Sequence, residues 1–258
     1  MAEAVQVSIA AAALRLDQLL LAPLASRLGL RPLVIVPTAE MHVLPWALLA
    51  SARDRPVTVA PSASVWLHSR DRRVDRRGHV ALVTGPNLPA AVQEIAAVAK
   101  VYPHARVLTG AAASVGAVME ALEGAALAHV AAHGRFRSDN PLFSSLQLAD
   151  GPLTVYDLEN LRSAPSVVVL SACESALSSV HPGDEVMGLT GALLRMGTRA
   201  LVASTAPVPD DVARDTMVNF HASLVRGAAP AVALVEARAA LDPAARLRAG
   251  VFVCFGAG

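Results

Sequence analysis

The sequence predicts an α/β protein with a mostly parallel central sheet and helices on both faces. Short runs of consecutive apolar residues alternate along the chain with longer helical stretches. The apolar runs are continuous and do not alternate with polar residues, which is typical of parallel strands that helices cover on both sides. The 258 residues are also enough to bury a large core. Together these observations indicate an α/β sandwich.

The first part of the chain has weaker signals than the second. Residues 5–28 are expected to form a helix that breaks at Pro23, because proline cannot continue a helix. The remaining expectations are a strand at 32–37, an irregular apolar stretch at 40–50, a strand at 56–62, a short helix around Val65, and a charged linker at 70–78. We therefore divide the chain into an N-terminal helix, 1–30, and one domain, 31–258. The linker is expected to be a solvated loop and an exposed place for self-cleavage.

The second part is more regular, and its signals alternate between the two kinds of element. Strands are expected at 79–85, 105–110, 126–134, 166–172, 199–205 and 250–255. Helices are expected at 89–101, 113–123, 186–197, 211–226 and 230–241.

Composition excludes several classes of function. The formal net charge is +1, so no bulk field attracts nucleic acid. With only two cysteines, no disulfide framework is expected, and this favours a cytoplasmic location. No uninterrupted apolar run reaches the roughly 18 residues of a membrane span, so no membrane partner is expected. The sequence has no metal-ligand cluster and no glycine-rich phosphate loop, so neither a metal nor a cofactor is expected.

Chemically capable residues follow three of the expected strands. In open α/β sheets, sites form beyond the carboxyl ends of the strands. One strand leads to His133, another to Cys173, and a third to Asp210 and Asp211. If the three strands are neighbours, an imidazole, a thiol and two carboxylates meet at one edge of the sheet.

Cys173 and His133 together suggest nucleophilic catalysis. A cysteine needs a base or a cationic partner to be a thiolate near pH 7, and His133 can supply one. The same imidazole can protonate the leaving amine. Gly134 has no side chain, so its backbone N–H can approach a substrate oxyanion, and the N–H of Cys173 can be the second donor.

These motifs resemble the CHAT family of caspase-like cysteine peptidases. The resemblance rests on HVAAHGRF, then VVVLSACESA, then GDEVMGLTGALLRMGTRALVASTAPVPDD, and it covers about residues 30 to 255. It implies a caspase-hemoglobinase-like three-layer sandwich, hydrolysis of peptide bonds, and a Cys173/His133 dyad. Members of the family often follow helical repeats, so an activating protein or a helical-repeat domain is an expected partner, besides a protein or peptide substrate.

Other residues near these motifs are candidates for substrate binding. Related enzymes that cut after Arg or Lys have an acidic residue in a similar loop, which makes Asp210 and Asp211 candidates for that pocket. They also fit the first turn of a helix, where carboxylates are common. Asp184 and Glu185 are expected to cap a helix that begins near Val186, with a role in substrate binding or activation as the alternative. Arg135, with Arg137, Asp139 and Asn140, is expected to be solvated or to position the substrate backbone.

The chain departs from the family pattern at two places. Many members have a threonine and a glycine after SACE, where this chain has SA, and often a tryptophan where it has Ala206. These changes can reshape a substrate subsite, but neither removes a member of the dyad. His129 and Cys254 are interpreted as structural core residues.

Three alternatives to a peptidase remain open at the level of sequence. The first is a catalytically silent interaction module of the same fold in a bacterial signalling or defence system. The second is an α/β-hydrolase with a cysteine nucleophile. That fold requires a turn with glycines around the nucleophile and a histidine downstream of it, whereas here the turn has no glycine and the histidine is upstream. A nucleotide-binding module is the third, and it lacks a phosphate loop.

Overall fold

The computed structural model describes residues 2–72, 78–135, 141–171 and 182–258. Its strands are β1 Leu33–Ile35, β2 Val57–Val59, β3 Val80–Thr84, β4 Arg106–Leu108, β5 Leu127–Ala131, β6 Gly134–Arg135, β7 Ser145–Gln147, β8 Pro152–Thr154, β9 Val167–Leu170, β10 Ala200–Ser204 and β11 Phe252–Gly256. Eight of them form the central sheet in the order β1-β2-β11-β10-β9-β5-β3-β4. Neighbouring strands are parallel, apart from the antiparallel pair β10 and β11.

Helices cover both faces of this sheet. They are α1 Ala2–Leu20, α2 Ala25–Leu28, α3 Ala63–Asp71, α4 Pro89–Ala99, α5 Val115–Leu122, α6 Val155–Leu158, α7 Pro182–Met196, α8 Asp210–Val225, α9 Pro230–Ala239 and α10 Pro243–Arg248. Local sequence sets several of their first turns. Ser62 and Ser114 cap α3 and α5 by accepting a backbone N–H, and proline begins α4 and α9, where its missing N–H costs nothing.

The two faces of the sheet bury separate apolar clusters. Along β10, Leu201 and Ala203 pack into one cluster with residues of α5 and α7, whereas Ala200 and Val202 pack into the other with α4, α8 and α9. Successive side chains of a strand point to opposite faces, so a strand buried on both sides must be apolar throughout. The predicted α/β sandwich with a mostly parallel sheet is therefore confirmed. Each fully buried Phe or Leu contributes about 1.5–3 kcal/mol.

The N-terminal helix packs on the domain through a narrow stripe. Ala13, Asp17 and Leu21 are buried, and the Asp17 carboxylate accepts hydrogen bonds of 3.0 Å from the backbone N–H and the hydroxyl of Ser51. The stretch Val7–Leu28 has a mean hydropathy of 1.5 and is long and apolar enough to cross a membrane, by length and composition alone. Asp17 lies within it, and its hydrogen bonds to Ser51 tie the stretch to the domain.

The structure differs from the sequence expectations in a few places. The strand expected to run to Gly134 ends at Ala131, and two residues later the chain enters a second sheet of β6, β7 and β8. Strands of two or three residues carry no periodic signal, so this sheet could not be predicted. Helix α7 begins at Pro182, before the expected Val186, because proline is tolerated in the first turn of a helix.

Candidate active site

The three strands singled out from the sequence are neighbours. Strand β9 lies between β5 and β10 and is parallel to both, with Val130 opposite Leu170 and Leu170 opposite Ala203. Their carboxyl ends therefore open at one edge of the sheet. This confirms the condition under which the candidate residues were expected to meet.

His133 lies two residues beyond β5 at this edge. Its backbone oxygen accepts a 2.8 Å hydrogen bond from the N–H of Gln147, which anchors this part of the backbone to β7. The imidazole is half-buried, and among the described residues no hydrogen bond to the ring is present. The ring is thus held near the sheet edge by its backbone, and neither of its nitrogens has a hydrogen-bond partner in the part of the chain that the structure describes.

Gly134 follows directly and pairs with Leu146 of β7. The bond from Gln147 N–H to the oxygen of His133 makes this a non-hydrogen-bonded pair of the antiparallel ladder, in which the residue's own N–H points away from the partner strand. The Gly134 N–H is therefore free of β7, as an oxyanion donor must be. Arg135 is exposed and pairs with Ser145.

Several candidate residues lie outside the described residues. They are Cys173, Arg137, Asp139, Asn140 and most of the charged linker, 73–77. The described chain stops at Ser171, two residues before Cys173, and resumes at Pro182. Asp184 and Glu185 fall in the first turn of α7.

A cavity of about 230 Å³ opens beside the ends of β9 and β10. The first two turns of α4, the beginning of α8, Ser171 and Ser204 line it. Asp210 is one of its lining residues, and its neighbour Asp211 is not. The sequence marks both adjacent carboxylates as candidates, and the structure places only Asp210 at the cavity.

Glu94 is a cavity residue that sequence reasoning missed. Its side chain lines the cavity beside Ser171 and is only 5 % exposed. A signal was present, because Glu94 occupies the face of α4 on which Ala91, Ile95 and Val98 are buried. A carboxylate at a core-facing helical position is rarely left without a partner. Its neighbour is His129, whose Nε2 lies 2.9 Å from Glu94 Oε1, but within the described residues this oxygen accepts no hydrogen bond of good geometry.

His129 and Cys254 are fully buried, in agreement with their structural interpretation. Burial raises the pKa of the Cys254 thiol to about 12, so that cysteine is protonated at neutral pH. His129 hydrogen-bonds to His221, and burial, together with the neighbouring His129, lowers the pKa of His221 well below its usual range. Within the described ranges, no cluster of three or more His, Cys, Asp or Glu residues is arranged to hold a metal ion.

This architecture is shared with one protein family and with several solved structures. The model of one family, the CHAT domain, matches residues 10–249. The separase–securin complex of Saccharomyces cerevisiae contains a similar fold, with a TM-score of 0.62 and 13 % identity over 87 % of this chain. The Arg-specific cysteine proteinase gingipain R is also similar, with a TM-score of 0.54 and 13 % identity over 82 % of this chain.

The chain spans only part of these solved structures, 15 % of the separase chain and 56 % of the gingipain chain. No curated protein sequence matches it. At such low identity the structural likeness shows the fold, which is caspase-like, and the family match covers nearly all of the sequence. The chain belongs to the CHAT domain family.

Proposed function

We propose that this chain is a cysteine endopeptidase with a Cys173/His133 dyad. The observation that carries the proposal is the meeting of three features at one edge of the sheet. His133 follows β5, the neighbouring strand β9 leads to Cys173, and a cavity lined by the carboxylates of Glu94 and Asp210 opens beside the ends of β9 and β10. Peptide hydrolysis by a cysteine needs a nucleophile, a base and a substrate pocket close together, and the adjacency of these strand ends supports the proposal.

The proposed reaction has two covalent steps. The Cys173 thiolate attacks the scissile carbonyl, and the N–H groups of Gly134 and Cys173 hold the resulting oxyanion. His133, carrying the proton taken from the thiol, donates it to the leaving amine. Water then attacks the thioester with His133 as base, which releases the acid and restores the thiol. Loss of one oxyanion donor typically costs about 3 kcal/mol of transition-state stabilisation.

The cavity favours a basic residue before the cleaved bond. Asp210 and Glu94 are the two carboxylates that line it, and Ser171 and Ser204 add hydroxyl groups. A guanidinium or ammonium group that entered would meet negative charge in a partly desolvated space, where such pairing is strongest. Gingipain R, which shares the fold, is Arg specific. Asp211 and Arg135 are proposed to contact the substrate outside this cavity.

The proposed setting is a cytoplasmic enzyme under the control of a protein partner. In the solved relatives, separase is in complex with securin, and gingipain occurs with its pro-domain. Uncontrolled proteolysis would damage the cell that makes the enzyme. An activating protein or a helical-repeat domain is therefore proposed to regulate access to the site, besides the protein substrate itself.

Labelling with peptide acyloxymethyl ketones tests the proposal. Probes with Arg, Lys, Leu or Asp next to the warhead would be added to the wild type, Cys173→Ala and His133→Ala. We expect the Arg and Lys probes to label the wild type, and labelling to disappear in Cys173→Ala. Preference for the Asp probe would contradict the basic pocket. Absence of labelling by every probe, with candidate partner proteins added, would favour the silent interaction module.

A further inference from the structure

A second cavity, of about 480 Å³, opens at the amino ends of β3, β5 and β9, which is the edge of the sheet opposite the candidate site. Its floor is a row of residues that lie opposite one another in register, Val80, Leu127 and Val167. Within the part of the chain that the structure describes, Leu127 and Val167 are the only buried apolar residues larger than alanine that belong to neither core cluster. Their apolar surface therefore faces this space, which we call the amino-edge cavity.

A second side of the amino-edge cavity is formed where α8 turns into α9. Helix α8 ends in a turn in which the Gly227 N–H donates to the oxygen of Leu224 at 2.9 Å and the Ala228 N–H donates to the oxygen of Ser223 at 3.2 Å. Gly227 has a φ of +96°, which glycine adopts without strain. Pro230 then begins α9. Because hydrogen bonds and a proline hold this turn, the shape of the cavity does not depend on a bound ligand.

Arg199 is the only charged residue among those that line the amino-edge cavity. Its Nε donates to the backbone oxygen of Ala257 at 3.1 Å, and its Nη1 donates to that of Arg72 at 3.4 Å. Both acceptors are neutral, and within the described ranges no carboxylate forms an ion pair with Arg199. A partly buried guanidinium without a counter-charge favours an anion, because charge-assisted hydrogen bonds are stronger than neutral ones.

We propose that the amino-edge cavity binds a small molecule that has an apolar body and one carboxylate. The apolar body lies on Leu127 and Val167, and the carboxylate meets the guanidinium of Arg199. One guanidinium balances one negative charge, so a monocarboxylate fits better than a phosphate dianion. Small-molecule sites are usually concave, mostly apolar and roughly 300–1,000 Å³ in volume, with a few polar groups that orient the ligand. The site lies at the opposite edge of the sheet from the proposed peptidase site and does not depend on it.

The amino-edge cavity is connected to the candidate site through the interior of the molecule. Tyr102 lines the cavity, and its hydroxyl lies 3.1 Å from His221 Nδ1. His221 Nε2 lies 2.8 Å from His129 Nδ1, and His129 Nε2 lies 2.8 Å from the hydroxyl of Ser171, which lines the cavity at the carboxyl edge. A ligand that packs against Tyr102 therefore contacts one end of a continuous row of residues, and the His221 ring is expected to respond to it.

Methyl NMR of the whole chain during titration with sodium octanoate tests this site. With resonances assigned through single replacements, the methyl groups of Leu127 and Val167 are expected to shift and to saturate with one dissociation constant. The ring resonances of His221 should move with them. Leu19, which is 69 % exposed on α1, is the control for non-specific adsorption to apolar surface. Octanamide has the same apolar chain without the charge and is expected to bind about tenfold more weakly.

Replacement of two arginines separates a specific contact from overall charge. Arg199→Gln is expected to weaken octanoate binding about tenfold and to leave octanamide binding unchanged. Arg226→Gln is the matched control, because Arg226 is next to Gly227 but does not line the cavity, and it pairs with Glu236 at 3.0 Å. Val167→Phe keeps Arg199 and fills the floor, so it should weaken both probes alike, and it serves if Arg199→Gln does not fold.

Each opposite result would overturn part of this inference. Shifts at Leu19 with the same midpoint as at Leu127 would mean adsorption on any apolar surface, and no binding site would remain. Equal affinity for octanoate and octanamide, or equal losses in the two arginine variants, would exclude recognition of the carboxylate by Arg199. A His221 ring that stays fixed at saturation would exclude the connection to the candidate site. None of these measurements needs enzymatic activity, so failure of the peptide probes would remove the proposed function and leave this site standing.

Discussion

Cys254 lies in the middle of β11, inside the sheet, whereas His133 and Ser171 lie just beyond the ends of β5 and β9. The interior position is 1 % exposed, and burial raises the thiol pKa to about 12. At the edge, the His133 ring is half-buried and makes no hydrogen bond within the described residues. The thiol inside the sheet is therefore inert, whereas the imidazole beyond a strand end is accessible, and the position along the strand decides which case applies.

His133→Ala should produce the largest effect, because it removes a reactive ring from the edge without opening the core. Cleavage of an Arg peptide is expected to fall about 100- to 10,000-fold, the usual contribution of a general acid–base residue. The melting temperature should stay close to that of the wild type, since the ring is half-buried. Turnover and thermal unfolding measured on the same preparation check both parts. Unchanged turnover would remove His133 from the mechanism.

Asp210→Asn and Asp211→Asn compare two neighbouring carboxylates at the same edge of the sheet. The two carboxylates are adjacent in the first turn of α8, but only Asp210 lines the cavity. Asp210→Asn is expected to lower kcat/KM for an Arg peptide relative to a Leu peptide about tenfold, which corresponds to roughly 1.4 kcal/mol. Asp211→Asn should lower this ratio much less. Equal losses would mean that the helix terminus, and not the cavity, selects the substrate.

Much of this arrangement was predictable from sequence, and the reason is the continuous burial of the strands. Runs such as Val167–Leu170 can be recognised as strands because both of their faces are buried and every residue is apolar. The ends of these strands then mark His133 and Asp210 as candidates. Glu94 and the buried role of His221 were not found. Their partners come from α4, α8 and β5, so only the tertiary structure shows that these polar residues face one another.

The buried His221 is expected to make the free energy of unfolding depend on pH. Burial lowers its pKa in the folded protein, while the unfolded chain titrates near 6.5. Below pH 6.5 the unfolded state therefore binds a proton that the folded state does not, and the free energy of unfolding falls as the pH falls. The slope approaches about 1.4 kcal/mol per pH unit for one proton.

Urea unfolding at pH 7.5, 6.5 and 5.5 would measure this slope. His221→Gln should be less stable than the wild type at pH 7.5 and should lose less stability on acidification. Thr216→Val, on the same helix, should keep the wild-type slope. Parallel slopes for the wild type and His221→Gln would show that His221 already carries its proton in the folded state.

Replacement of Cys254 is expected to have the smallest effect, because this thiol lies in the interior of the sheet and not at its edge. The chain has only two cysteines, so alkylation of the native protein reports on Cys173 if Cys254 is silent. With its pKa raised to about 12, Cys254 should react only after unfolding, and mass spectrometry of the digested protein would show the label on Cys173 alone. Cys254→Ala should cost about 1 kcal/mol of stability and leave peptide cleavage unchanged. Rapid labelling of Cys254 in the native state would mean that the interior of β11 opens, and the sharp difference between interior and edge would then be lost.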